Sequence, residues 1–497
     1  MEGFPVLSAL ILSPLIAVII LLFVKEERIG LIRAISVVST SICLILSFYL
    51  LWAYDKVKGG YQFIEKVEWI KSLGVSYHLG VDGISVAMVV LTSIVIFTGV
   101  FVSWVGVKHR IKEHYIFLLL LVAGVFGVFE SLDLICFFLF YELAVIPMYP
   151  LIGIWGSANR EYATMKLTLY LSFGALFALL GLLSIYFVSG AQTGVYTFDM
   201  LEIAKLSFDG SYQIKVFLPL LFGFGVLVPL APFHSWSPIG HAAAPSAVSM
   251  LHAGVLMKLG AYGIIRAMWL LPQGAQFWMP WVAVLSLINI FYGGMVAMSR
   301  KDMKFMIGYS SSSHMGYVLL GLATVNYIGV NGAVLLMFAH GIMTALAFSL
   351  IGFIYDQAHT RMMYDFSGLA KKLPFVSIAF AIMGFASSGL PGLANFVAEL
   401  MVFIGAFKDY PIQAIVAVFG IIVTATYMLR CLRDVFFREP QDKWDHIKDA
   451  TTFVERMPFV ILIAVLLVVG FYPAIIVDII NTGVVPLVDR VNAVPLG

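Results

Sequence analysis

Charged residues are scarce in this sequence. Asp, Glu, Lys and Arg make up only 12% of the 497 residues, whereas a soluble domain carries roughly 25%. Hydrophobic residues account for 61% of the chain. Because so little charge cannot keep a chain of this size in water, the composition predicts a membrane protein. The net charge of +2 gives no electrostatic reason to expect a nucleic-acid partner.

Cysteine is rarer still, and nucleotide-binding loops are missing. Cys43, Cys136 and Cys431 lie in or beside apolar runs and form no C-x-x-C pair. This pattern argues against a disulfide framework, a zinc site or an iron–sulfur cluster held by this chain. The sequence has neither G-x-G-x-x-G nor G-x-x-x-x-G-K-[ST]. We therefore expect no cofactor, metal or redox centre within the chain itself.

Long apolar runs fill most of the remaining sequence. A helix needs about 20 apolar residues to cross the hydrocarbon core, and continuous rather than alternating runs favour helices over a β-barrel. The first run lacks a basic leader and a cleavage site, so it is interpreted as a retained helix. We predict an all-α polytopic protein with about fourteen spans, at residues 6–24, 31–54, 81–106, 115–129, 132–155, 163–188, 214–232, 245–271, 277–298, 303–323, 328–356, 375–409, 412–437 and 458–480.

Lysine and arginine predict the orientation of these spans. If the N-terminus faces the periplasm, most of the 30 Lys and Arg residues fall in cytoplasmic segments, as the positive-inside rule requires. An even number of spans then places both termini on the periplasmic side of a bacterial inner membrane. Polar stretches at 55–80, 189–213 and 438–457 are too short for a soluble domain. The last resembles an amphipathic surface helix, because it mixes charges with Trp444, Ile447 and Phe453.

Two spans are interrupted by proline and glycine. One interruption runs from Pro229 through Pro232 and Pro238 to Pro245, and the other is Gly389-Leu-Pro391-Gly392. Such residues free backbone carbonyls inside a membrane helix. Paired broken helices indicate inverted repeats around a transport path. Two ordinary proline kinks are the alternative.

Several ionisable side chains fall inside predicted spans. An ionised group at the bilayer centre costs about 2.5–3.5 kcal/mol on insertion scales, so it needs a partner or a watery cavity. Lys166 has an alternative explanation, since a lysine near a helix end can extend to the interface. The histidines also have an alternative explanation, since a neutral, hydrogen-bonded histidine can serve only for packing. Carboxylates, amines and imidazoles together at mid-membrane nevertheless favour proton or cation translocation. The candidates are Glu142, Lys166, His252, Lys258, His314, His340 and Glu399.

Several segments carry a family resemblance. They are Phe138-Leu-Phe-Tyr-Glu142-Leu-Ala-Val-Ile-Pro147-Met148, Pro232-Phe-His-Ser-Trp-Ser-Pro238 with His241-Ala-Ala-Ala-Pro245, Leu256-Met-Lys258-Leu-Gly-Ala-Tyr-Gly263, Ser310-Ser-Ser-Ser-His314-Met-Gly316, His359-Thr-Arg361 and Leu390-Pro-Gly-Leu-Ala-Asn395-Phe-Val-Ala-Glu399. Together they resemble the antiporter-like chain M of bacterial respiratory complex I, the counterpart of mitochondrial NADH dehydrogenase subunit 4. The resemblance runs from about residue 80 to 437.

The resemblance implies an architecture and a role. It implies fourteen helices with two inverted five-helix repeats, in which helices 7 and 12 are broken. The corresponding divisions are 1–114, 115–271, 272–437 and 438–497. It implies a proton-translocating subunit of NADH:quinone oxidoreductase, with FMN, iron–sulfur clusters and quinone in partner subunits. The partners would be neighbouring antiporter-like subunits and a peripheral redox arm. The proton path would use Glu142, Lys258, His314, His340 and Glu399.

The sequence departs from the family pattern in span seven. The family usually has a lysine two residues before the first proline of the broken segment, and this chain has Leu227 there. It also has Ser237-Pro-Ile-Gly-His241 where an acidic residue is usual. Either the channel is rewired through one of the remaining basic side chains, or this copy pumps differently; we hypothesise that a histidine replaces the missing lysine. The possible substitutes are Lys166, His234, His241 and His252.

Other functions fit the same residues. A subunit of a secondary cation/proton antiporter shares this fold and needs no redox partner. The membrane arm of a hydrogenase, or of a complex that uses a donor other than NADH, is another alternative. A purely structural spacer would leave the buried charges without a role.

Overall fold

Helices dominate the structure, as the apolar runs predict. The computed structural model describes residues 4–157 and 159–494. The first half contains α1 (Val6–Phe23), α2 (Ile29–Ala53), α3 (Gly83–Gly106), α4 (Ile111–Glu130), α5 (Leu134–Val145), α6 (Met148–Trp155), α7 (Arg160–Thr193), α8 (Met200–Ile203), α9 (Gly210–Leu227), α10 (Trp236–Ala243), α11 (Ser246–Leu251) and α12 (Met257–Leu270). The second half contains α13 (Pro272–Ser299), α14 (Met303–Ala323), α15 (Tyr327–Ala358), α16 (Pro374–Ser387), α17 (Ala394–Asp409), α18 (Pro411–Phe436), α19 (Phe453–Phe471) and α20 (Ala474–Asn492).

The predicted fold class is confirmed. Within the described residues, 12 helical segments are long and apolar enough to cross a membrane. The serine-rich α14 and the broken pair α16 and α17 do not meet this criterion of length and hydropathy. The count of fourteen spans, the inverted repeats and the divisions after residues 114, 271 and 437 remain predictions.

A β-hairpin adds to the helical fold within the polar stretch 55–80. Strands β1 (Gln62–Ile70) and β2 (Val75–Val81) pair antiparallel, with Lys66 opposite His78. Gly74 turns the chain at φ +66°, and a Cβ there would collide with the backbone of Tyr196. Only glycine therefore fits the turn without strain.

A buried carboxylate attaches this hairpin to the loop after α7. Asp199 Oδ2 accepts a hydrogen bond from Lys66 Nζ at 2.6 Å and lies 3.1 Å from His78 Nδ1. Burial raises the pKa of Asp199, but the hydrogen bonds and charges of His78 and Lys66 outweigh burial, so the pKa lies below its ordinary value. The ionised carboxylate holds the two segments together.

The structure corrects two predictions near the C-terminus. The stretch 438–457 is not a surface helix, because only Asp442–Trp444 forms a helical turn before α19 begins. Its polar groups bond to other loops instead; for example, Trp444 Nε1 donates to the carbonyl of Asp365 at 2.9 Å. The predicted span 458–480 is also divided, since α19 ends at Phe471 and Pro473 precedes the separate α20. Proline cannot donate the backbone bond that would continue the helix.

The helices differ in where they lie in the bundle. In the most apolar 18-residue stretch of α15, and in that of the segment from α11 to α12, 100% of the residues are buried. In the corresponding stretch of α19 only 28% are buried. A helix that is apolar on all sides belongs in the interior of a bundle. Lys258 on α12, His314 on α14 and His340 on α15 are buried, so other helices screen them from lipid.

Candidate functional site

Four ionisable side chains form a line through the buried centre. Lys258 Nζ lies 2.9 Å from His340 Nδ1. The rings of His340 and His314 stack with centroids 5.2 Å apart. His314 Nε2 lies 3.6 Å from Glu399 Oε1. All four side chains are at most 4% exposed. We call Lys258, His340, His314 and Glu399 the central line.

A local irregularity positions Lys258. The segment His252–Leu256 is π-helical, between α11 and α12. Such turns are rare and frequently occur at functional sites. Lys258 Nζ donates to the carbonyl of Ala253, within this turn, at 2.5 Å. The ammonium therefore has a backbone acceptor on its own helix and the imidazole of His340 on the facing helix.

Backbone carbonyls hold His314 in place. Its Nδ1 lies 2.8 Å from the carbonyl of Ser310, and its Nε2 lies 3.1 Å from that of Ser387. Ser387 ends α16 at the second helix break. A neutral imidazole can donate to only one of these carbonyls. A second proton on His314 satisfies the other, so the geometry suits a group that gains and releases a proton.

The second helix break also makes room for Glu399. Gly389 lies in the break at φ +68°, and a Cβ there would be 2.7 Å from Glu399 Oε2. Glu399 Oε1 is buried and accepts no hydrogen bond from any described residue. The amide of Asn395, one turn earlier on α17, likewise has both polar atoms buried without a described partner. The break thus creates a space in which a carboxyl group is not committed to a fixed bond.

A pair of histidines lies beside the first helix break. The rings of His241 and His252 are 4.1 Å apart. Ser237 Oγ lies 3.0 Å from His241 Nε2. His241 Nδ1 and both nitrogens of His252 have no hydrogen-bond partner in the described part of the chain. We call His241 and His252 the histidine pair.

The other predicted residues lie apart from the central line. Glu142 on α5 is half-buried, and no hydrogen bond or ion pair joins its carboxyl group to a described residue. Lys166 on α7 is also half-buried, 5.8 Å from the ring centres of Tyr162 and Tyr170. His234 packs on Tyr292, with ring centroids 4.9 Å apart.

Leu227 is fully buried at the end of α9. No charged group replaces the family's lysine at that position. Of the proposed substitutes, His252 lies on the same continuous helical segment as Lys258, and His241 on α10 packs against His252. Lys166 and His234 have no described contact with the central line.

Sequence reasoning missed a cavity beside the linker between α10 and α11, which we call the polar cavity. The cavity has a volume of about 180 Å³ and is lined in part by Ser157, Ser246, Lys304 and Asp356. Lys304 is 3% exposed, and its Nζ donates to the carbonyl of Ala244 at 2.8 Å. Lys304 and Asp356 lie at the ends of predicted spans, where charge is normally solvated. The burial of Lys304, and the position of both residues beside one cavity, were therefore not visible in the sequence.

Comparisons with known proteins agree with this architecture. The family described as NADH:quinone oxidoreductase/Mrp antiporter, transmembrane, matches residues 131–424. NADH-quinone oxidoreductase subunit M of Rickettsia conorii is 35% identical over 489 residues, which cover 97% of this chain and 98% of that protein. NAD(P)H-quinone oxidoreductase chain 4 of Gloeobacter violaceus is 33% identical over 485 residues, or 96% and 91% of the two chains.

A solved structure has the same fold. A chain of respiratory complex I from Thermus thermophilus superposes with a TM-score of 0.88 at 27% identity, covering 97% of this chain and 99% of that one. The family match includes Glu142, Lys258, His314, His340 and Glu399. This chain therefore belongs to the NADH:quinone oxidoreductase/Mrp antiporter family of membrane subunits.

Proposed function

We propose that this chain is a proton-translocating membrane-arm subunit of an NADH:quinone oxidoreductase in a bacterial inner membrane, with both termini in the periplasm. The central line of Lys258, His340, His314 and Glu399 is the observation that carries the proposal. The full-length similarity to M subunits and to a chain of respiratory complex I supports it. FMN, iron–sulfur clusters and quinone belong to partner subunits, where electron transfer takes place.

Proton movement along the central line needs short, balanced steps. The Lys258 ammonium gives a proton to the lone pair on His340 Nδ1, 2.9 Å away, and becomes a neutral amine. His340 then releases the proton on its other nitrogen toward His314, with a bridging water or a ring rotation spanning the stacked rings. His314 passes a proton to the Glu399 carboxylate. A charge change at one end alters the proton affinity of the next group, because opposite charges favour ionisation.

The histidine pair supplies the connection from the cytoplasmic side. Lys304 and Ala244 border the polar cavity. Ser249 Oγ donates to the carbonyl of His241 at 2.9 Å and lies 3.3 Å from the carbonyl oxygen of Ala244. The pair is therefore attached to the same linker that forms the cavity wall. In this proposal the pair takes the role that a span-seven lysine has in the family, where this chain has Leu227.

Substitution of the histidine pair tests this assignment. We expect His241→Gln and His252→Gln each to lower proton pumping several-fold in vesicles, since glutamine cannot carry a proton. His446→Gln is the control, because His446 is exposed on a loop outside the bundle. The measurement is the number of protons taken up per electron transferred. Full pumping in both variants would exclude the pair as a replacement for the lysine.

Glu142 receives a separate test. Its half-buried carboxyl group has no described partner within the chain, so we expect its charge to respond to a neighbouring subunit. Glu142→Gln should reduce proton pumping several-fold while the complex still assembles. Glu161→Gln, at an exposed site on α7, is the control. Proton uptake close to that of the unsubstituted protein would remove Glu142 from the pathway.

Purification from the native membrane tests the function as a whole. The tagged chain is isolated in mild detergent, its absorbance spectrum is recorded, and NADH-dependent quinone reduction is assayed. Co-purified flavin, iron–sulfur absorbance and quinone reduction are the expected results. The family also includes Mrp antiporters, so an antiporter subunit is the second candidate. A colourless preparation with sodium-dependent proton exchange would establish that candidate instead.

A further inference from the structure

A basic pocket lies outside the proton path, where α13 and α18 end. It has a volume of about 480 Å³, within the range of about 300–1,000 Å³ that is usual for ligand sites. Four cationic side chains line it: Arg300, Lys301, Arg430 and Arg438. Asp434 is the one acidic residue among the lining residues described. The pocket therefore has a strong positive charge and suits an anionic group.

Contacts within the pocket hold three of the cations in place, and of these only Arg438 is paired with a carboxylate. Arg300 lies 4.9 Å from the ring centre of Tyr309 and 3.4 Å from its hydroxyl. Arg430 donates to the carbonyl of Met298 at the end of α13. Arg438 pairs with Asp434 at 2.8 Å. A guanidinium has five N–H donors, so each arginine keeps donors available for phosphate oxygens.

Exposed apolar side chains lie on the same two helices as the pocket. Met295 and Tyr292 lie four and seven residues before Ser299, a residue of the pocket, and therefore on the same face of α13. They are 52% and 47% exposed. On α18, Ile422 and Leu429 share a face and are 61% and 49% exposed. On α13, exposed apolar side chains thus continue along the face that borders the positive pocket.

A positive pocket with exposed apolar side chains beside it matches a phospholipid rather than a soluble anion. Basic pockets between membrane helices on the cytoplasmic side bind anionic headgroups, and the positive-inside pattern places these helix ends in the cytoplasm. We infer that the pocket binds the phosphate headgroup of an anionic phospholipid, whose acyl chains lie against the exposed faces of α13 and α18. This inference depends on membrane insertion and does not require that protons cross the chain.

Lipid titration of the purified assembly tests the inference. The chain with its membrane partners is delipidated and titrated with dioleoyl phosphatidylglycerol, and native mass spectrometry counts the bound lipids. Each basic residue near an anionic membrane surface contributes about a fivefold increase in affinity, so R300Q/R438Q should weaken the tightest phosphatidylglycerol site by about 25-fold. Arg430 is left intact because it holds the end of α13.

Matched controls identify the ligand. K25Q/R28Q removes two exposed charges from the loop between α1 and α2 and should leave the tightest site unchanged. Phosphatidylcholine should show no site that is sensitive to R300Q/R438Q, and millimolar inorganic phosphate should not displace the bound lipid. Equal binding by the pocket variant and the control would overturn the inference. Displacement of the lipid by phosphate would show a soluble-anion site. Loss of a protein partner in R300Q/R438Q without loss of lipid would show a protein-docking site. Either result would also overturn the inference.

Discussion

Lys258→Met should abolish proton pumping while the complex still assembles. Methionine has a similar length and is accommodated in an apolar interior, so the fully buried site keeps its packing. The substitution removes the proton donor 2.9 Å from His340 Nδ1. A positioned acid or base contributes about 10²–10⁴-fold to a proton transfer, so pumping should fall by at least roughly 100-fold.

The readout for Lys258 separates transport from electron transfer. Proton uptake per NADH oxidised is measured in sealed vesicles, and NADH oxidation with an artificial acceptor measures the redox arm alone. Lys205→Met is the control, because Lys205 is exposed and pairs with Glu202 at 2.8 Å near α8. Lys258→Arg keeps a cation but cannot release its proton at neutral pH, so it should not restore pumping. Pumping above half of the unsubstituted rate in Lys258→Met would show that the central line does not carry the protons.

Glu399→Gln should block the other end of the central line. Glutamine keeps the shape of the side chain but cannot accept and release a proton. Glu399 Oε1 lies 3.6 Å from His314 Nε2, and no described residue donates a hydrogen bond to it. The amide should therefore fit without distortion while pumping falls by roughly 100-fold.

A second variant distinguishes loss of the proton carrier from loss of structure. Glu399→Asp keeps a carboxyl group but shortens the side chain, so pumping should recover in part. Glu439→Gln, at an exposed site after α18, is the control for a removed charge. Equal pumping in Glu399→Gln and the unsubstituted protein would place the outward path elsewhere in the chain.

The residues of the site could be predicted from the sequence, but the contacts between them could not. Lys258, His314, His340 and Glu399 stand out in the sequence because ionisable groups are costly in apolar spans. Their pairing does not stand out, since Lys258 and His340 are 82 residues apart in the chain. The histidine pair, Lys304 and Asp356 acquire their setting only when α10, α14 and α15 pack together. Glu142 and Lys166 were predicted with the same reasoning, but the fold leaves both without a described ionic partner.

The sequence by itself determined that this chain is helical and crosses a membrane. A segment without access to water must satisfy its backbone groups internally, so long apolar runs specify helices locally. Proline and glycine likewise marked both helix breaks. Tertiary structure decided which polar segments became a hairpin, that residues 438–452 form no surface helix, and which charges meet. Those outcomes depend on hydrogen bonds and packing between residues far apart in the chain. The hydrophobic pattern within one segment does not contain that information.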